Sequence, residues 1–423
     1  MDFKLEASYN PYLSLGTNRI DAIITVTTSG EIVASASGLK AVAFIIDTSG
    51  SMDNNGKIIA AKNAVCRCIQ QLDSSTKFTV IKFSGEAGIL VPLTLASVTA
   101  KNKACDIVGN IAARGGTVMS SGLRAARQIF KEMPQSAICY AMFLTDGFNE
   151  GEHRNALIKE INNCRGMFQC DSRGFGTDWD PSDLRLISGE LLGNADAVSE
   201  ISKLENDFKE ALGKMLSKGI ADVKLRLWTP KTSKITLIKQ MNPEILDLTK
   251  HGITLDEKNL DVPLGAWGAE SRDYHVSLQL TAGDNDEEMM VCRPGVILIE
   301  DGVETKITGQ PIIARWTRDE DLSTRISPEV AHYTGQAELA NAIKEGLEAK
   351  QRGDVDGATR LLGRAAKIAD ETGNDEVTTR LKKVVDILDV NEGTVRLKSG
   401  SNKGADLELD MGGTRTVRRR PAA

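Results

Sequence analysis

Between residues 41 and 220 the sequence alternates two periods. Short apolar runs, AVAFIID, FTVIKF and CYAMFLTD, are separated by stretches of helical spacing, GKIIAAKNAVCRCIQQL, MSSGLRAARQIFKEM and HRNALIKEINNC. Runs this short and this apolar suit strands buried on both faces, and the helices between them are the crossovers that parallel strands need. The pattern therefore predicts an α/β domain of βαβ units on a mostly parallel sheet. ISKLENDFKEALGKMLSKGI closes it as an amphipathic helix.

The flanks read differently. RIDAIITVTT, within residues 1–36, is an alternating run that looks like a strand. From residue 221 the period becomes two: Val223, Leu225 and Leu227 alternate with Lys224, Arg226 and Trp228, and HVSLQL, GVILIED and PIIARW follow. Residues 221–325 read as an antiparallel, β-sandwich-like domain. A lone strand cannot bury its own apolar face. Residues 1–36 are therefore expected to join that domain, with the α/β domain of residues 37–220 inserted between. Residues 326–390 carry three helical stretches joined by RGD and TGN turns. The RGD at 352–354 reads as such a turn, not as an adhesion signal. Beyond 390 periodicity fades, and residues 391–423 are expected to form a flexible tail. There Thr414 and Thr416, beside Arg415 and Arg418 to Arg420, would be open to a kinase and then to a phosphothreonine reader.

Composition narrows the function classes. A net charge of -6 argues against general nucleic-acid affinity. MDFKLEASYN has neither the basic start nor the apolar core of a secretory signal, and no apolar run is long enough for a bilayer. Seven cysteines, an odd number without CxxC spacing, give no disulfide framework, and four isolated histidines make a zinc site improbable. A cytoplasmic protein with reduced thiols is the expectation.

In an open parallel sheet, ligands sit beyond the carboxyl ends of the strands. Three segments bring polar side chains there. AVAFIIDTSGSM ends on Asp47, Ser49 and Ser51; RGGTVMSSGL offers Thr117; MFLTDG offers Asp146. All five are oxygen donors. Two carboxylates with neutral hydroxyls suit a hard divalent cation, magnesium before calcium or manganese. Two rival chemistries fit less well. A phosphoryl-accepting aspartate of the haloacid-dehalogenase type expects a second aspartate where Ser49 stands. GEAG and RGGT lack the lysine of a phosphate loop. Asp53, Asp178 and Asp180 read as turn and cap residues.

D-x-S-x-S at 47–51, a threonine after two glycines at 117 and T-D-G at 145–147 resemble the metal-ion-dependent adhesion site of von Willebrand factor type A domains. GFGTDWD is similar to the segment after the fifth strand in bacterial members. The resemblance implies a Rossmann-like doubly wound domain, inserted here in a β-sandwich-like domain and followed by a small α-helical one. It implies that Ser49, Ser51 and Thr117 ligate the metal directly, and that Asp47 and Asp146 hold it largely through water. A partner protein's glutamate or aspartate would fill the open position. The resemblance further implies a non-enzymatic intracellular adaptor, working with AAA-type ATPases or with kinase and forkhead-associated reader systems. An exported adhesin using the same site is the alternative, and a metal-dependent hydrolase a more distant one.

Overall fold

The computed structural model describes residues 2–29, 39–300, 303–400 and 402–419. The boundary expected at 36/37 and Arg420 lie outside them.

Three strands come first, β1 (Asp2–Tyr9), β2 (Tyr12–Ser14) and β3 (Arg19–Ser29). The α/β unit follows as β4 (Lys40–Asp47), α1 (Lys57–Gln71), β5 (Lys77–Phe83), β6 (Ala87–Leu95), α2 (Val98–Gly109), α3 (Met119–Phe130), β7 (Ile138–Thr145), α4 (Arg154–Cys164), β8 (Gln169–Phe175), α5 (Pro181–Glu190), β9 (Ala195–Val198) and α6 (Leu204–Leu216). Its sheet runs β6-β5-β4-β7-β8-β9, parallel except for the antiparallel edge strand β6. The central strands β4 and β7 are mostly apolar because both faces are covered. Val42, Phe44 and Ile46 pack with Ile58, Val65, Phe208 and Leu212 of α1 and α6. Ala41, Ala43 and Ile45 pack with Leu123, Leu157 and Ile161 of α3 and α4. This is the mostly parallel sheet expected from the two periods, in the Rossmann-like doubly wound arrangement that the resemblance implied.

The β unit continues with β10 (Ile220–Trp228), β11 (Ser233–Asn242), β12 (Leu246–Asp247), β13 (Ile253–Thr254), β14 (Asn259–Trp267), β15 (Ser271–Leu280), β16 (Glu288–Glu300), β17 (Val303–Thr308) and β18 (Ile312–Thr317). One sheet has the order β1-β3-β15-β11-β12, the other β13-β14-β10-β16-β18-β2, with β17 beside β16. Alternate residues of both sheets meet in one core, among them Val26, Leu225, Val276 and Trp316. The N-terminal strands thus belong to both sheets of this sandwich, and the α/β unit is inserted into it.

The last part holds α7 (Glu320–Ser323), α8 (Pro328–Gln351), α9 (Val355–Glu371), α10 (Asp375–Val384), β19 (Val385–Asp389), β20 (Thr394–Leu397) and α11 (Lys403–Gly412). Gly353, at φ +77°, lets the chain turn between α8 and α9, and Asp354 caps α9. The flexible tail expected from residue 391 is corrected here. β20 pairs with β19, and α11 is capped by Asn402. Leu407 and Met411 of α11 enter the core of the α/β unit, while Leu409 enters the core of the helical part. Thr414 and Thr416 are partly buried and engaged: Thr414 donates to Glu244 Oε1 at 3.0 Å, and the Thr416 amide donates to the Pro243 carbonyl at 3.1 Å. Arg415 pairs with Asp196 and Glu376, and Arg418 with Asp273. The accessible phosphothreonine segment is therefore corrected as well. Among the described residues, no helix is long and apolar enough to cross a membrane.

Candidate metal site

The chain leaves β4 for β5 on one side and, after β6, returns to β7 on the other. Between β4 and β7 the direction of winding reverses, and open α/β sheets bind ligands beyond the strand ends at that crevice. β4 ends on Asp47 and β7 on Thr145, so the two carboxylates of the sequence pattern emerge side by side. Both are fully buried.

Each is held from several directions. Asp47 Oδ1 accepts the Ser49 amide at 2.7 Å, and Oδ2 accepts the Thr145 hydroxyl at 2.5 Å. Asp146 Oδ1 accepts Ser51 Oγ at 2.6 Å, and Oδ2 accepts Lys57 Nζ at 2.6 Å. Ser49 Oγ and Ser51 Oγ lie 3.0 Å apart. Burial pushes the Asp47 carboxyl up to about 6, against the hydrogen bonds from Thr145 and Ser49 and with help from the charge of Asp146. A buried carboxylate under that load gains from a nearby cation.

A 3-10 turn, Gly50–Gly56, follows Ser49 directly and contains Ser51. It reverses through Asn55 and Gly56, at φ 54° and 72°, before α1 begins. Thr117 arrives on the loop before α3. The Gly50 amide donates to Gly115 O at 2.9 Å, the Val118 amide to Ser84 O at 2.8 Å and the Gly151 amide to Thr117 O at 3.0 Å. These bonds tie the loop that carries Thr117 to the β4–α1 loop, the β5–β6 turn and the β7–α4 loop.

The convergence can be read at Gly147. A Cβ built there would lie 3.0 Å from Thr117 Oγ1, 3.5 Å from Ser51 Oγ and 3.8 Å from Ser49 Oγ. Three neutral hydroxyls thus face one small space, with two buried carboxylates behind them. All five residues singled out in the sequence come together, and the donor set is hard and oxygen-only. Among the described residues no group of three or more His, Cys, Asp or Glu side chains gathers as a metal site. Asp180 caps α5, accepting from the Ser182 amide at 2.8 Å, and Asp178 is exposed. Sequence reasoning missed Thr145 and Lys57. T-D-G contains the first, but nothing in the sequence says that its hydroxyl reaches Asp47.

Comparison with known proteins gives the relatives of this arrangement. Residues 42–149 match the model of the von Willebrand factor type A domain, and residues 367–413 that of a von Willebrand factor type A C-terminal domain. A solved structure described as von Willebrand factor type A from Catenulispora acidiphila is 38% identical, covering 99% of this chain and 97% of that one, with a TM-score of 0.91. The ArnB paralog VWA2 from Sulfolobus acidocaldarius superposes over 99% of both chains at a TM-score of 0.61 and 15% identity, a likeness of fold. An uncharacterized protein of Synechocystis is 25% identical over 211 residues, and inter-alpha-trypsin inhibitor heavy chain H1 of Mesocricetus auratus 27% over 221. The chain covers 49% of the first of these two and 24% of the second.

Proposed function

Because the chain belongs to the von Willebrand factor type A family, whose domains generally mediate protein–protein interaction, we propose that it is a metal-dependent interaction adaptor and not an enzyme. The observation that carries this reading is the approach of Ser49, Ser51 and Thr117 to one space beside Gly147, in front of Asp47 and Asp146. Ser49, Ser51 and Thr117 would hold a divalent cation directly; Asp47 and Asp146 would hold it through water. Magnesium suits an all-oxygen set with few charges, with calcium and manganese as the alternatives. When bound, the ion supplies one open position for a carboxylate from a partner protein.

The chain's own residues perform the rest. Thr145 and the Ser49 amide fix both oxygens of Asp47, so that its charge stays in place. Ser51 donates a hydrogen bond to Asp146, which leaves the hydroxyl lone pairs free to face a cation. Hydroxyl ligands do not neutralise the ion, and the loaded site remains attractive to an aspartate or glutamate. Seven free cysteines, most of them buried, support a cytoplasmic setting.

Capture of partners from a native lysate tests this. Wild type should retain a protein in magnesium and release it in EDTA. Asp47→Ala and Asp146→Ala, shown by circular dichroism to be folded, should retain none in either buffer. Equal capture by wild type and both variants would overturn the adaptor reading.

A further inference from the structure

Lys57 is the first residue of α1, and its ammonium lies 2.6 Å from Oδ2 of Asp146. The lysine side chain is 11% exposed and the aspartate side chain 0%. This is not a loose surface pair. The turn after β8 makes room for it: a Cβ built on Gly176 would stand 3.2 Å from both Cε and Nζ of Lys57. The other oxygen of Asp146 accepts a hydrogen bond from Ser51 Oγ at 2.6 Å, and Ser51 Oγ in turn lies 3.0 Å from Ser49 Oγ. Lys57 therefore sits one side chain behind the hydroxyls that would face the cation.

Charge counting gives this position its meaning. Asp47 and Asp146 contribute two negative charges and Lys57 one positive, so the site carries a net -1. A divalent cation raises that to +1, where two carboxylates alone would leave it at zero. The ammonium repels the incoming ion through low-dielectric surroundings, which weakens metal binding. The same surplus charge attracts a carboxylate to the loaded site.

Resting on the metal reading above, we propose that Lys57 is a fixed counter-charge that lowers the site's affinity for divalent cations and keeps the loaded site electrophilic toward a partner's carboxylate. It is a positioning residue, acting through Asp146 and not as a ligand.

The test uses Mn2+ as the probe on the full chain, with binding followed by electron paramagnetic resonance of the free ion. Acetate, as a carboxylate probe, is followed by water-proton relaxation of the bound ion. Lys57→Met should bind Mn2+ about tenfold tighter than wild type, and should need several-fold more acetate to displace bound water. Lys57→Arg should behave as wild type on both measures. Tighter binding is the informative direction, because structural damage would loosen the site. Should Lys57→Met lose its circular dichroism, Lys57→Gln, which keeps a donor toward Asp146 without the charge, carries the same expectation. Equal or weaker Mn2+ binding in a folded neutral variant, with wild type binding normally, overturns the role of Lys57 and leaves the metal reading standing. No Mn2+ binding by wild type or any variant overturns the metal reading, and this inference with it.

Discussion

Gly147 follows the second carboxylate directly, and a methyl group there would stand 3.0 Å from Thr117 Oγ1. Its φ is not among the positive ones, so alanine brings no backbone strain. Gly147→Ala should therefore fold like wild type and weaken Mn2+ binding at least about tenfold, because the hydroxyls would have to spread. Calorimetric titration checks it, and unchanged affinity would mean that the three hydroxyls do not act on one ion. At this scale much was legible. Asp47, Ser49, Ser51, Thr117 and Asp146 stand at strand ends or helix starts, and short-range spacing marks such places. Thr145 and Lys57 were not legible in that way. Each works on a residue 98 or 89 positions away, so its role exists only once β4, β7 and α1 are assembled.

Among elements, β4, β5 and β7 could be read because one rule governs them: both faces are covered, so their residues are mostly apolar. α11 breaks the equivalent rule for helices. Its apolar residues, Leu407, Leu409 and Met411, alternate, because the helix lies between two cores and feeds both. A helix with two buried sides has no single apolar stripe, and its sequence resembles a polar tail. The structure instead gives α11 the task of fastening the helical part to the α/β unit. Met411, 1% exposed, and Leu409, fully buried, face different cores. Met411→Ala and Leu409→Ala should each cost about 2–4 kcal/mol. Chemical denaturation should show both as lower midpoints. A midpoint unmoved by either substitution would return residues 403–412 to the status of a dispensable tail.

At the scale of the whole molecule, the α/β unit, the sandwich and the helical part meet at a polar joint. A cavity of about 960 Å³ lies there, lined by Asp171, Arg173, Asp196, Glu244, Arg380 and Arg415 among others. None of the residues that line it belongs to the candidate metal site. Ion pairs cross the joint: Arg380 to Asp196 at 3.0 Å, Arg185 to Asp410 at 2.9 Å and Arg418 to Asp273 at 2.7 Å. Such long-range pairing is invisible to periodicity, which explains why the sequence marked out the parts without saying how they are held together. Glu244 has the weakest claim to its charge. Burial pushes its carboxyl up from 4.5 to about 7, against hydrogen bonds from Thr414 and Asn194 and the charge of Arg415. The sign follows from proton uptake. Between pH 4.5 and about 7 the folded chain keeps a proton on Glu244 that the unfolded chain has lost. Folding is then opposed more strongly as pH rises through that window, and no further beyond it. Relative to Glu244→Gln, which stays neutral, wild type should lose about 1–3 kcal/mol of stability between pH 5 and 8. Denaturant unfolding of both proteins across that range makes the comparison. A stability difference that does not change with pH would mean that Glu244 is ionised in the folded protein throughout, and that Arg415 and its hydrogen bonds outweigh the burial.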